Sequence, residues 1–331
     1  MQFRVRHLAM LAVVTAMLVA SIALLPSCSK KEKETPFYLQ PKYIGWYNTP
    51  GTACGVFVVG NLAYVADGSA GFSIVDISDP TSPSEVRTIP MVIPALDICV
   101  AGNYAYIATG ESIAIYDVSV PGNTSTTPVS NPAISGAPVA VQVVNNNAFV
   151  AAESAGMVIL DISDPSSPVL MGAYNPTTAI EGVFVEGTTA YLAGNGKFYI
   201  VDVTDVTLPA LTGEVEIPYS GVEVRRRGTY ALVTFGSGGL GVIDISDPAV
   251  PEYIGRYGTI AAMWGLDLLG MYAYIADDAK GMHIADISDP ENITPVKSVG
   301  TGGSAKDIVV SGGNAYVADS IKGLIIFDAT P

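Results

Sequence analysis

The chain has 331 residues, 49% of them hydrophobic and only 14% charged, with 34 glycines and 22 prolines, a globular and turn-rich composition. Its 31 Asp+Glu against 16 Lys+Arg give a net charge of -15 at pH 7. A surface this acidic repels phosphate backbones and anionic headgroups, which excludes nucleic acid as a partner class and requires any membrane attachment to run through an apolar or covalent anchor.

The first element in chain order is such an anchor. Arg4 and Arg6 precede an apolar run from Leu8 to Leu25, followed by small residues and Cys28. This is the layout of a secretory leader over residues 1–27. Eighteen apolar-rich residues come close to bilayer-spanning length, so length alone leaves an uncleaved anchor open. The "LPSC" boundary at Leu25–Cys28 resembles the lipobox of bacterial lipoproteins, with Pro26 a departure from the small residue usual there. The resemblance implies cleavage before Cys28 and acylation of that residue, placing the protein in a bacterial cell envelope, at the outer membrane, held by lipid alone. The polar, mixed-charge text after Cys28 reads as a tether over residues 28–40.

From residue 41 the sequence repeats. "IVDISDP" at 74–80 returns as "ILDISDP" at 159–165, "VIDISDP" at 242–248 and "IADISDP" at 284–290. The aspartates closing each such run are Asp76, Asp117, Asp161, Asp202, Asp244, Asp286 and Asp328, six steps over 252 residues, a mean period of 42. In the first copy the runs "GVFVV", "LAYVAD" and "FSIVDI" follow "PKYIGWY" and are separated by turn residues. Short-period, β-branched and aromatic runs with no 3.6-residue rhythm make four strands per copy. Seven such copies over 41–331 predict an all-β, seven-bladed β-propeller with four antiparallel strands per blade. The chain then begins with an outermost strand, Lys42–Tyr47, and ends with a third strand, Leu324–Asp328. The ring is therefore expected to close by the N-terminal strand joining the last blade.

Each column of the repeat has a physical task. A small residue beside a large one recurs as Ala63-Tyr64, Ala105-Tyr106, Ala148-Phe149, Ala190-Tyr191, Ala273-Tyr274 and Ala315-Tyr316, with Ala231-Leu232 in copy five, and suits interlocking twisted sheets. The Ser-Asp-Pro words are turn chemistry. "FSIVDISDP", "MVILDISDP" and "LGVIDISDP", each after "AYVAD"-like text, resemble the LVIVD repeat of secreted and surface proteins of bacteria and archaea, over nearly all of residues 41–331. That resemblance implies a propeller and carries no catalytic motif.

No H-E-x-x-H, Cys-x-x-Cys, G-x-S-x-G or phosphate-loop pattern is present. His283 aligns with Ser73 in a third strand and reads as a packed or solvent-facing residue. "RRR" at 225–227 is a basic run at a hairpin tip, read as a solvated turn with a local acidic contact as the alternative. Cys54 and Cys99 lie in apolar runs and read as buried free thiols, with a disulfide between them left open. Asp67, Asp277, Asp278 and Asp319 offer oxygen donors for calcium, though their spacing matches no known loop; otherwise no cofactor is expected. What remains is the rim of one face. Aligning the copies puts Cys54, Leu96, Val139, Glu181, Ser220, Trp264 and Lys306 in one varied column, with Asp97 and Asp307 in the next. Trp264, with Met263, offers a stacking surface for a sugar or apolar side chain, or plugs the channel mouth. Glu181, Asp97, Asp307 and Lys306 would orient polar groups. The leading expectation is a binding or scaffold module with a protein or glycan ligand. The alternatives are a hydrolase or lyase using carboxylates among Glu181, Glu223, Asp267, Asp97 and Asp307, and a structural part of an envelope assembly.

Overall fold

The computed structural model describes residues 41–258 and 261–329. The leader at 1–27, Cys28 and the tether at 28–40 lie outside the described residues. Strands form seven antiparallel sheets, and among the described residues the only helical pieces are two short 3-10 turns, Pro121–Asn123 and Pro290–Asn292. No helix among these residues is long and apolar enough to cross a membrane.

Blade 1 shows the plan. Its strands are Gly55–Val59, Leu62–Ala66, Phe72–Asp76 and Ser84–Ile89, hydrogen-bonded in that order from channel to rim. A two-residue turn with Gly60 at φ 58° joins the first pair, and the left-handed φ is what glycine supplies at no steric cost. The third strand ends in the repeated word. Asp76 accepts the Ser78 N–H at 2.8 Å, and Asp79 accepts the Thr81 N–H at 3.0 Å and hydroxyl at 2.7 Å. These nested side-chain turns recur at Asp161 and Asp164, and at Asp202 and Asp205. They hold these carboxyls below the usual carboxylate range. The words are structural, one per blade.

The small-and-large column does the work expected of it. Tyr64 packs in the core between blades 1 and 2 with Ala105, while Ala63 lies in the core between blades 7 and 1 with Tyr316. The same exchange joins Tyr106 to Ala148, Phe149 to Ala190, Tyr191 to Ala231, Leu232 to Ala273 and Tyr274 to Ala315. Each blade presents a small residue to the blade before it and a large one to the blade after it. The molecule therefore has seven interfacial cores.

The last sheet runs Lys42–Tyr47, Gly323–Asp328, Asn314–Asp319, Ala305–Ser311. The two chain ends pair antiparallel, from Lys42 opposite Asp328 to Tyr47 opposite Leu324, with a bulge between Tyr43 and Gly45. Gly45 is required there, because a Cβ would stand 2.3 Å from the Pro80 carbonyl oxygen in blade 1. The ring closes as the sequence predicts.

Two blades deviate in detail. In blade 2 the sheet has three regular strands, Asp97–Ala101, Tyr104–Ala108 and Ile113–Asp117. Single bridges from Ser112 to Ala133 and Ile115 to Ser130 stand in for the fourth. This is the copy with the longest turn text, rich in Pro, Ser and Thr, which does not sustain a ladder. In blade 4 the continuous strand Thr189–Asp202 folds back at Asn195-Gly196, where Gly196 has φ 77°. Val203 N–H thereby reaches the Thr188 carbonyl, and one segment supplies the second and third strands.

Candidate functional site

The innermost strand of every blade has one edge without a neighbouring strand, and that edge faces the ring axis. Its backbone groups need partners from side chains or water. Carboxylates supply them. Asp97 accepts the N–H of Ile98 beside it and, across the blade boundary, that of Val141, both at 2.8 Å. Asp307 accepts from Ile308 at 2.7 Å and from Val56 at 2.8 Å, across the 7-to-1 boundary. Asp267 does the same for Leu268 and Val310, and Glu223 accepts from Leu266. Gln142 both accepts from Val185 N–H and donates to its carbonyl. Five of the seven blade boundaries are joined this way. The other two follow blades 1 and 4, whose inner strands carry Gly-Val-Phe at the corresponding places, Gly55–Phe57 and Gly182–Phe184.

Arg225 stands among these acids. Its guanidinium lies 2.6 Å from Glu223 and 3.7 Å from Asp267, donates to the Val224 carbonyl, and sits 5.7 Å from the Phe184 ring centre. One cation faces four carboxylates, two of which keep 23% of their side chain open to the channel. Burial, with Asp97 nearby, pushes Asp307 up to about 6. Burial, together with Asp307 and Asp97, pushes Glu223 to about 8 against the pull of Arg225. Burial also raises Asp97. The cluster therefore holds protons that isolated carboxylates release.

Beside the cluster is a cavity of about 480 Å³, lined by residues of all seven blades. Its walls include Phe57, Leu96, Val139, Phe184 and Trp264, and its polar residues include Asp97, Glu153, Glu181, Glu223, Arg225, Lys306 and Asp307. All five rim residues expected from the sequence, Asp97, Glu181, Trp264, Lys306 and Asp307, line it. They divide by task. Asp97 and Asp307 are structural acceptors on the inner edge. Glu181 accepts the Ser220 hydroxyl at 2.6 Å. Lys306 lies 5.1 Å from the Trp264 ring centre and 3.1 Å from Asp278, which the Ser304 hydroxyl also binds. The Trp264 indole N–H is buried without an acceptor.

Several sequence expectations are corrected here. Ser220 does not occupy the varied column; Val222 does, donating its N–H to the Thr234 carbonyl as Cys54 does to Ala66. "RRR" is not a solvated tip: Glu223–Arg227 is the inner strand of blade 5, pairing with Tyr230–Thr234. The look-alike "GVEV" at 221–224, set against "GVFV" at 55–58, shifts the register by two residues. Counting five back from the hairpin glycine gives the correct column in blades 1, 2, 4, 5, 6 and 7: Gly55, Asp97, Gly182, Glu223, Gly265 and Asp307. That count would have placed Arg225 in the channel. Met263 is fully buried in the core between blades 5 and 6 rather than beside Trp264 at the mouth.

The acidic turns serve the fold. Asp67 is fully buried and accepts from Thr49 Oγ1 at 2.6 Å and Gly51 N at 2.7 Å. Asp319 occupies the equivalent turn in blade 7 and accepts from Ile321 and Lys322 N–H. Among the described residues no group of three or more His, Cys, Asp or Glu side chains could hold a metal ion. Cys54 and Cys99 are free thiols, both pushed to about 12 chiefly by burial. His283 is buried between Tyr257 and Ser298, at 2.7 and 2.6 Å, and desolvation lowers it to about 4.

Comparison with solved structures returns propellers at low identity. The β-propeller domain of Cps50 (Swd1) from Myceliophteria thermophila aligns with TM-score 0.69 at 11% identity, covering 88% of this chain and 100% of that one. BamB from Moraxella catarrhalis aligns at 0.60 and 13%, covering 87% and 90%. A chain of a mitotic checkpoint complex aligns at 0.72 and 12%, covering 91% and 95%. These likenesses show the fold. Comparison with curated proteins found no match. The LVIVD repeat model matches seven times, at residues 50–89, 94–127, 135–176, 180–216, 222–259, 263–301 and 302–329. With its repeats covering nearly all of the ring, the chain belongs to the LVIVD repeat family.

Proposed function

We propose that this protein is a lipid-anchored binding module of the bacterial cell envelope, with the mouth of its channel as the recognition site for a protein or glycan. The observation that carries the reading is the contrast between columns. The repeat holds its packing positions nearly constant, while the seven mouth positions are Cys54, Leu96, Val139, Glu181, Val222, Trp264 and Lys306, all lining one cavity. Divergence at equivalent points is how a symmetric scaffold acquires an asymmetric site. A catalytic use of the acids is less supported: both oxygens of Asp97, Asp267 and Asp307 accept backbone N–H groups, and Glu223 is shared between Leu266 N–H and Arg225. The anchor rests on Cys28 and the leader before it. Cross-linking on intact cells tests the binding reading. A reproducible partner recovered with the parent protein and lost in Trp264→Ala supports it. No reproducible partner with the parent protein overturns it.

A further inference from the structure

We infer that the channel cavity accepts the basic side chain of a partner protein, a lysine ammonium or arginine guanidinium entering on its apolar stem. The inference rests on the binding reading above and gives that site its ligand chemistry.

The first argument is charge. Five carboxylates line the cavity, at Asp97, Glu153, Glu181, Glu223 and Asp307, against Arg225 and Lys306. Both cations already have acidic partners, Glu223 for Arg225 and Asp278 for Lys306. An anionic ligand would find no uncommitted cation and a surplus of like charge.

The second argument is the arrangement at the mouth. Glu153 sits in the turn between second and third strands of blade 3, and its backbone exchanges two hydrogen bonds of 3.0 Å with Ile180. Glu153 and Glu181, on neighbouring blades, both line the cavity. Glu181 is engaged by the Ser220 hydroxyl at one oxygen, and no side-chain hydrogen bond or ion pair engages Glu153 among the described residues. Two carboxylates from neighbouring blades on the wall of an apolar cavity suit a diffuse organic cation. A metal ion is not supported, since no such cluster among the described residues has ligand geometry.

The third argument is the wall. Phe57, Phe184, Leu96, Val139 and Trp264 give an apolar and aromatic lining to a space of about 480 Å³, within the ~300–1,000 Å³ range of small-ligand pockets. Methylene stems pack on such walls while the charged head meets the carboxylates, and aromatic faces attract cations.

The test is calorimetric titration of the whole chain in detergent with four probes: the Nα-acetyl methylamides of lysine, arginine and norleucine, and free cadaverine. A lysine or arginine amide should bind at least ~10-fold tighter than the norleucine amide, which is about 1.4 kcal/mol. The Glu153→Gln/Glu181→Gln double variant should lose a similar factor with its melting temperature unchanged. Equal binding of norleucine, no binding of either basic amide, or unchanged affinity in the double variant overturns the inference. Cadaverine binding ~10-fold tighter than either amide would assign the site to a free amine and overturn the partner side chain. If neither basic amide binds while Trp264→Ala still abolishes partner capture, the binding reading stands and this inference alone falls.

Discussion

Removing residues 29–48 takes away the Lys42–Tyr47 strand, whereas removing 29–40 leaves it whole. The strand has five paired positions with Gly323–Asp328. At about 1 kcal/mol net per ladder hydrogen bond, the pairing contributes roughly 5 kcal/mol. Ile44 and Tyr47 are partly buried against the core between blades 7 and 1, and half-burial of two such side chains adds about 2 kcal/mol. A loss near 7 kcal/mol is comparable to the whole stability of a typical domain, about 5–15 kcal/mol. The longer deletion also bares the outer edge of Gly323–Asp328, a template for intermolecular pairing. Differential scanning calorimetry with light scattering should therefore find the 29–48 deletion melting at least ~10 °C lower and aggregating, with the 29–40 deletion like the parent. A synthetic peptide of residues 41–48 added in trans should recover part of the loss. Melting of the two deletions within ~2 °C of each other would refute the reasoning, because the terminal strand would then carry none of the closure.

Arg225→Met should destabilise the ring by about 3–5 kcal/mol, since it leaves buried acids without their cation. The folded pKa values of Glu223 and Asp307 lie above their unfolded ones, so their contribution is present at low pH and lost as pH rises through about 6 and about 8. Urea midpoints should accordingly show a larger Arg225→Met deficit at pH 8 than at pH 5; an equal deficit would contradict the channel electrostatics. His283 has the opposite sense: its folded value of about 4 lies below the unfolded one, so stability is lost as pH falls from about 6.5 through 4. His283→Gln should flatten that acid limb by about 2–3 kcal/mol, checked by the pH dependence of the same midpoints. Labelled palmitate should enter the parent protein and not Cys28→Ala; unchanged labelling would remove the anchor.

The fold was legible because its cause is local and repeated seven times. Ala-Tyr pairs, Ser-Asp-Pro turns and a 42-residue period each act within one blade or between neighbours, and closure followed from one spare strand at the start and one vacancy at the end. The lining of the candidate site was legible where register was safe. Asp97, Glu181, Trp264, Lys306 and Asp307 fall where alignment places them because their hairpin turns are regular. In blade 5 a two-residue slip hid Arg225, since "GVEV" imitates "GVFV" while the hairpin glycine, Gly228, counts differently. The inner-edge use of Asp97, Asp267 and Asp307 was beyond reach for another reason. A carboxylate spanning two blades depends on the relative placement of residues 43 or 44 positions apart for Asp267 and Asp97, and 251 apart for Asp307, which no local pattern encodes. Glu153 was missed because it stands in a turn position that glycine fills in two other copies, Gly68 and Gly236.

The antiparallel closure also has a mechanical meaning. Lys42 and Asp328 are direct neighbours at one end of the terminal pair. A force drawing the two chain ends apart would fall on that pair first, then on Tyr43 and Phe327, one step at a time, as a zipper opens. Of the seven interfacial cores only the one between blades 7 and 1, against which Ile44 and Tyr47 pack, would share that load while the terminal strand peeled away. Under tension the ring would thus fail at its clasp first, and relaxation would need only that one strand to find its place again.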